Sequence, residues 1–158
     1  MMAQSERIER TALKNLIHNE EYARKVIPFL DQVYFSDFIE KSIFVSLQSY
    51  VEKYNNSPDV EALNIDLQKT TLNEDQFKSV QEYIVTLTPS KVDFQWLIDQ
   101  TESWCKERAI YNAIFTGIQI IDGKDKEKTP EAIPDILADA LGVSFDTHVG
   151  HDYMEQAE

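Results

Sequence analysis

Cysteine is nearly missing from this sequence, and Cys105 stands alone. A single thiol excludes an intrachain disulfide and a zinc site built on cysteines, and it suits a reducing compartment. Glycine and proline are also sparse, four and five in 158 residues, too few turn formers for a chain of many short strands. Basic residues are outnumbered, 15 against 28 acidic, which leaves a net charge of −13. That excess repels phosphate backbones and anionic lipid, so tight free-standing binding to nucleic acid or to a membrane surface is not expected. No stretch approaches the ~18 apolar residues of a membrane span, and the N-terminus has no apolar signal core. What is present suits one packed domain: 42% of residues are hydrophobic and 11% aromatic, enough for a sizeable core. These features predict an acidic protein of the cytoplasm.

The apolar spacing is helical almost throughout. Ser5 can cap a first helix with the stripe Ile8, Ala12, Leu13, Leu16 and Ile17. A second, from about Glu20 to Ile27, stops at Pro28, and Phe29 to Phe35 reads as a buried connector. Ser36 or Asp37 opens a long helix to Tyr54, with Ile39, Ile43, Leu47, Tyr50 and Tyr54 along one face. Asn55 and Asn56 end it. Ser57-Pro58 reads as cap and first position of a helix from Asp59 to Lys69, and Asn73 caps another bearing Phe77, Val80, Ile84 and Leu87. Glu74 and Asp75 sit at its positive end. The longest element runs from about Asp93 to Asp122, and after an exposed charged loop Pro134 begins a last helix with Ile133, Leu137, Leu141 and Phe145. The fold class is all-α.

A helix of roughly 45 Å outruns a globule of ~13 Å radius of gyration, the size expected for about 100 residues. Its second half is therefore expected to project, with the last helix folded back on it as an αα-hairpin. Two helices cannot bury apolar residues on both sides. Ile114, Phe115, Ile118, Ile121, Leu137, Leu141 and Phe145 are accordingly expected to form a self-association surface, most simply against a second copy. The expected organisation is a helical head over 1–92, a long helix and hairpin over 93–146, and a connecting tail over 147–158.

Residue patterns that carry chemistry are mostly missing. The string from Gly117 to Gly123-Lys124-Asp125 fails as a phosphate loop: its glycines are one residue too far apart, Asp replaces the hydroxyl ligand, and the first Gly lies in a helix. His148, His151 and Asp152 have a metal-like spacing, but Gly150 and the weak apolar pattern argue against a rigid site. Glu20-Glu21 and Glu74-Asp75 sit at helix starts, where the macrodipole explains them. Cys105 reads as a buried structural thiol. Arg7, Arg10 and Lys14, and likewise Lys106 and Arg108, alternate with Glu6, Glu9, Glu102 and Glu107 and read as solvated ion pairs. No catalytic residue, metal or cofactor is expected in this chain.

Several strings nevertheless carry a family resemblance. Tyr34-Phe35-Ser36-Asp37-Phe38 with Ser42-Ile43-Phe44, the turn Ser57-Pro58-Asp59, and Glu107-Arg108-Ala109 resemble the N-terminal domain of DnaB-type replicative helicases. The resemblance is closer to the hexameric replicative helicases of T-even-type phages. It includes His18-Asn19-Glu20-Glu21-Tyr22, Ala62-Leu63-Asn64, Arg108 to Ala113, Ile133-Pro134-Asp135-Ile136, Ala140-Leu141, Ser144-Phe145-Asp146 and Val149 to Met154. It runs from about Leu13 to Glu155, and its specificity lies in the order and spacing of the strings together.

The resemblance implies a globular helical head with a protruding hairpin, pairing with copies of itself as a dimer or as a trimer of dimers in a hexamer. Such a collar surrounds the DNA path with little direct binding and is where a primase or a helicase loader engages. ATP and Mg would act in a RecA-type motor domain, which is not within this sequence, and 147–158 would start the linker to it. A stand-alone acidic adaptor or inhibitor of a replication protein is the alternative. A Walker A sequence beyond Glu158 in the parent reading frame distinguishes the two.

Overall fold

A computed structural model describes the backbone of residues 2–145 and the side chains from residue 8 onward. Among the described residues there are seven α-helices and no strand: α1 (Met2–His18), α2 (Glu20–Val26), α3 (Phe38–Tyr54), α4 (Val60–Gln68), α5 (Glu74–Thr86), α6 (Phe94–Ile121) and α7 (Ile133–Leu141). The all-α expectation holds. The tail over 147–158, with the His148, His151 and Asp152 spacing and the expected linker, lies outside the described residues. The chain divides into two units, one ending at Thr101 and the other starting at Glu102.

Most helix starts follow the chemistry of their caps. Asn19, Asp37 and Asn73 accept from the amides of Tyr22, Glu40 and Gln76 at 3.1, 3.0 and 2.8 Å, satisfying amides that have no partner inside the helix. Gln76 returns a bond to the Asn73 amide, completing a capping box. Two expectations are corrected. α1 already runs from Met2, so Ser5 lies inside it. The cap of α4 is Asp59, whose carboxylate takes the Ala62 amide at 2.8 Å; Ser57 and Pro58 precede the helix. Pro28 does stop α2, whose last residue is Val26, and Ile27–Phe29 follows as a 3₁₀ turn.

In the first unit α3 is the hub, packing against α1, α4 and α5. Its buried residues are Glu40, Ile43, Phe44, Ser46 and Leu47, and Phe44 stacks on Phe35 with ring centroids 4.9 Å apart. The expected stripe fails at its far end: Tyr54 is exposed. From α1, Ala12, Leu13, Leu16 and Ile17 enter the same core, joined by Leu63, Leu67, Val80, Ile84 and Leu87. The first two turns of α6 add Leu97, Ile98 and Thr101. Thr101 donates to the Leu97 carbonyl at 2.7 Å, leaving its oxygen to accept from the Tyr22 hydroxyl, also at 2.7 Å.

Two carboxyls occupy core positions. Glu9 stands three and four residues before Ala12 and Leu13, and Glu40 three and four before Ile43 and Phe44, so each extends its helix's apolar stripe. They are 1% and 5% exposed. Glu40 is hydrogen-bonded to Glu9 and accepts from the Tyr83 hydroxyl. The Ser36 hydroxyl lies 3.5 Å from Glu9. Burial, then the Glu9 bond and the Glu9 and Asp37 charges, push Glu40 up to about 8, against the lowering effect of Tyr83. Near neutrality Glu40 is thus mostly the protonated partner, donating to Glu9.

The unfolded chain releases this proton near the ordinary 4.5. Between about 4.5 and 8 the folded state therefore binds more protons, and stability falls as pH rises, levelling off above about 8. Urea unfolding of Glu40→Gln is expected to lose this decline and to gain about 1–3 kcal/mol over the parent at pH 9. An unchanged slope would show that the pair does not share a proton.

Candidate interaction surfaces

The second unit is built on the later turns of α6. The Ala113, Gly117 and Ile120 positions recur at steps of four and three and are buried. A Cβ on Gly117 would stand 3.8 Å from Ile133 Cγ2, so this face of small residues receives the start of α7. At the other end of the hairpin, Glu102 accepts from the Phe145 amide at 2.8 Å and the Ser144 hydroxyl at 3.1 Å. Glu102 is thus a tether for the chain after α7, not the solvated ion-pair partner expected from its neighbours.

The turn between the helices is fixed by Gly123 at φ 75°. Its amide bonds to the Ile120 carbonyl, and the Lys124 amide reaches back to Gln119 at 3.0 Å. This pair of bonds is a Schellman cap, and it needs a residue that tolerates the left-handed region. The Gly117 to Lys124 string is therefore a helix packing site followed by a helix stop.

A different side of α6 is apolar and uncovered. Tyr111, Ile114, Phe115, Ile118 and Ile121 are all exposed, from 49% for Ile118 to 70% for Ile121. Their steps of three and four place them in one stripe. The Arg108 guanidinium lies over the Tyr111 ring, 4.7 Å from its centroid. Of the seven residues expected at a self-association surface, Ile114, Phe115, Ile118, Ile121 and Leu141 are exposed and Leu137 is half-buried. Phe145 is corrected: it is 6% exposed, beyond the end of α7, with its amide held by Glu102. Gly142 ends the helix first, so the four-residue spacing from Leu141 to Phe145 is not a helical one. Tyr111 was missed, although it stands three before Ile114 and seven before Ile118.

The basic residues of α1 have structural partners. Arg10 donates to the Thr86 carbonyl at 2.8 Å and lies over the Tyr83 ring. His18 donates to the Leu87 carbonyl at 2.7 Å, and Lys14 reaches Ser90 at 3.4 Å. The Arg10 cation at the last carbonyl of α5 offsets the negative end of that helix. In place of the solvated ion pairs expected on α1, Glu9 is buried against Glu40 and Arg10 forms this clamp; the side chains of Glu6 and Arg7 lie outside the described residues.

Cys105 is buried. Burial, with the Glu102 charge, pushes its thiol well above the ordinary cysteine range, so it stays protonated and a poor nucleophile. Among the described residues no group of three or more His, Cys, Asp and Glu is placed to hold a metal ion, and no helix is long and apolar enough to cross a membrane.

Phe145→Ala is expected to cost about 3–5 kcal/mol in denaturant unfolding. Leu141→Ala in dilute protein should stay within about 0.5 kcal/mol of the parent. Equal costs would mean that the two residues have been assigned to the wrong sides of the hairpin.

No protein-family model matches the chain. A DnaB-like replicative helicase of Enterobacteria phage T4 is 36% identical over 154 residues, covering 92% of this chain and 32% of that protein. This similarity agrees with the resemblance to the replicative helicases of T-even-type phages. The chain is thus similar to part of a DnaB-like replicative helicase and spans about a third of the length of the one it matches.

Proposed function

We propose that this chain is the N-terminal collar and self-association domain of a phage replicative DNA helicase. The observation that carries the reading is the exposed stripe from Tyr111 to Ile121 on α6. Contiguous apolar patches of this kind mark interaction sites, and each such side chain yields roughly 1.5–3 kcal/mol when fully buried. The similarity to part of a replicative helicase supports one occupant: another copy of the same chain, with the two stripes self-complementary about a two-fold axis. Dimers of this type are the units of a trimer of dimers in a six-membered collar.

In this reading the first unit is the head and the hairpin of α6 and α7 the pairing arm. The collar organises the ring and offers its outer surfaces to a primase or a helicase loader. ATP-driven unwinding belongs to the motor domain of the parent protein, with ATP and magnesium acting there. The charge of −13 gives the collar a wall to which the DNA strand does not adhere.

Ile118→Asp and Leu141→Asp are expected to bring the mass measured by light scattering down to one 18.3 kDa chain, with the helical circular dichroism retained. Variants that keep the parent's mass would remove the stripe as the pairing surface. A labelled oligothymidylate should show no micromolar binding in moderate salt, and such binding would overturn the passive wall.

A further inference from the structure

Along one side of α3 the first unit has an open groove of about 650 Å³. Its long wall is a helical stripe, Phe38, Lys41, Val45, Ser49 and Lys53, at steps of three and four residues. The facing wall is the end of α4 and the turn after it, with Leu67, Lys69 and Leu72. At the far end the rings of Tyr50 and Tyr54 meet with centroids 4.7 Å apart, and the Lys53 ammonium stands 5.4 Å from the Tyr54 ring. Phe38 and Tyr54 are each about half exposed, at 51% and 52%. Aromatic rings so placed fill no core.

The charge of the groove is opposite to that of the chain. Three lysines line it against one carboxylate, Asp66, on a protein of net −13. Six apolar or aromatic residues line it beside six hydroxyl and amide residues, with the three ammonium groups interspersed along both walls. From Phe38 to Tyr54 the wall is about 24 Å long, four helical turns. These are the dimensions and chemistry of a groove for an amphipathic helix, whose apolar residues recur every three or four positions.

We propose that this groove receives an amphipathic helix of a partner protein, its apolar side lying along Phe38, Val45 and Tyr50 and its carboxylates facing Lys41, Lys53 and Lys69. The proposal rests on the partner-docking half of the proposed function and is independent of the pairing stripe on α6. Charge complementarity selects the occupant. A single strand of nucleic acid also stacks on aromatic rings, but the lining holds no arginine. The chain's net charge also opposes a polyanion along its whole length, whereas a helix brings only two or three carboxylates to the lysines.

The test is to pan a displayed library of random peptides of about 16 residues on the full chain. Binders to Lys41→Glu/Lys53→Glu are depleted, and Lys69→Glu, on an exposed turn, serves as a second variant. Enriched peptides are expected to carry apolar residues at three- and four-residue steps flanked by Asp or Glu. They should bind the parent at least tenfold more tightly than either variant and perturb α3 amide resonances. Enriched peptides without that pattern, equal binding to the variants, or a labelled oligothymidylate lost from the same variants would each overturn it. Light scattering separates this result from the pairing reading: groove variants should keep the parent's mass, and a failed groove beside intact self-association removes the groove alone.

Discussion

A helix of nine residues can cover one side of another helix but not two. That constraint shapes the second unit. α6 offers α7 a face of small residues, Ala113 and Gly117 with Ile120, against which Ile133 comes to ordinary contact distance. Gly123 reverses the chain and Glu102 ties down its return at Ser144 and Phe145. With that face used, Tyr111, Ile114, Phe115, Ile118 and Ile121 are left about half exposed or more. A large part of the transfer free energy of five large apolar side chains is not gained within the described residues, and the proposed role follows from where it is gained.

The first unit answers a different demand, that of holding α3 at the centre of a small helical core. Caps at Asp37, Asp59 and Asn73 fix where its helices begin. Arg10, Lys14 and His18 hold the segment at the end of α5 from one side of α1. The buried Glu9–Glu40 pair belongs to this frame and makes it sensitive to pH. Desolvation of a carboxylate is unfavourable, and a shared proton with the Tyr83 hydroxyl as a third partner reduces the loss. The other side of α3 stays open as the lysine-lined groove. One helix therefore carries both the core of this unit and its most distinctive surface.

Much of this was legible in the sequence because helical period and capping chemistry are local. The stripe of α1, the Asn73 cap, the limits of α6 to within a residue and the first turn of α7 at Pro134 all followed from spacing. The exposed stripe was legible for the same reason, since Ile114, Phe115, Ile118 and Ile121 exceed what one partner helix can cover. What spacing could not give was the fate of polar residues, which depends on non-local neighbours. Glu9, Arg10 and Glu102 read as solvated charges; they prove to be a buried partner of Glu40, a helix clamp and a tether. A signal for Glu9 and Glu40 was present in their register with the apolar stripes. Phe145 misled because Gly142 breaks the helix before it, turning a residue expected outside into one held inside.

The central claim, that a second copy covers the exposed face of α6, is tested most directly by sedimentation of the unmodified chain over a wide concentration range. The account predicts a mass that rises with concentration to at least twice 18.3 kDa, in steps consistent with pairs. A single 18.3 kDa species persisting at the highest concentrations would contradict it.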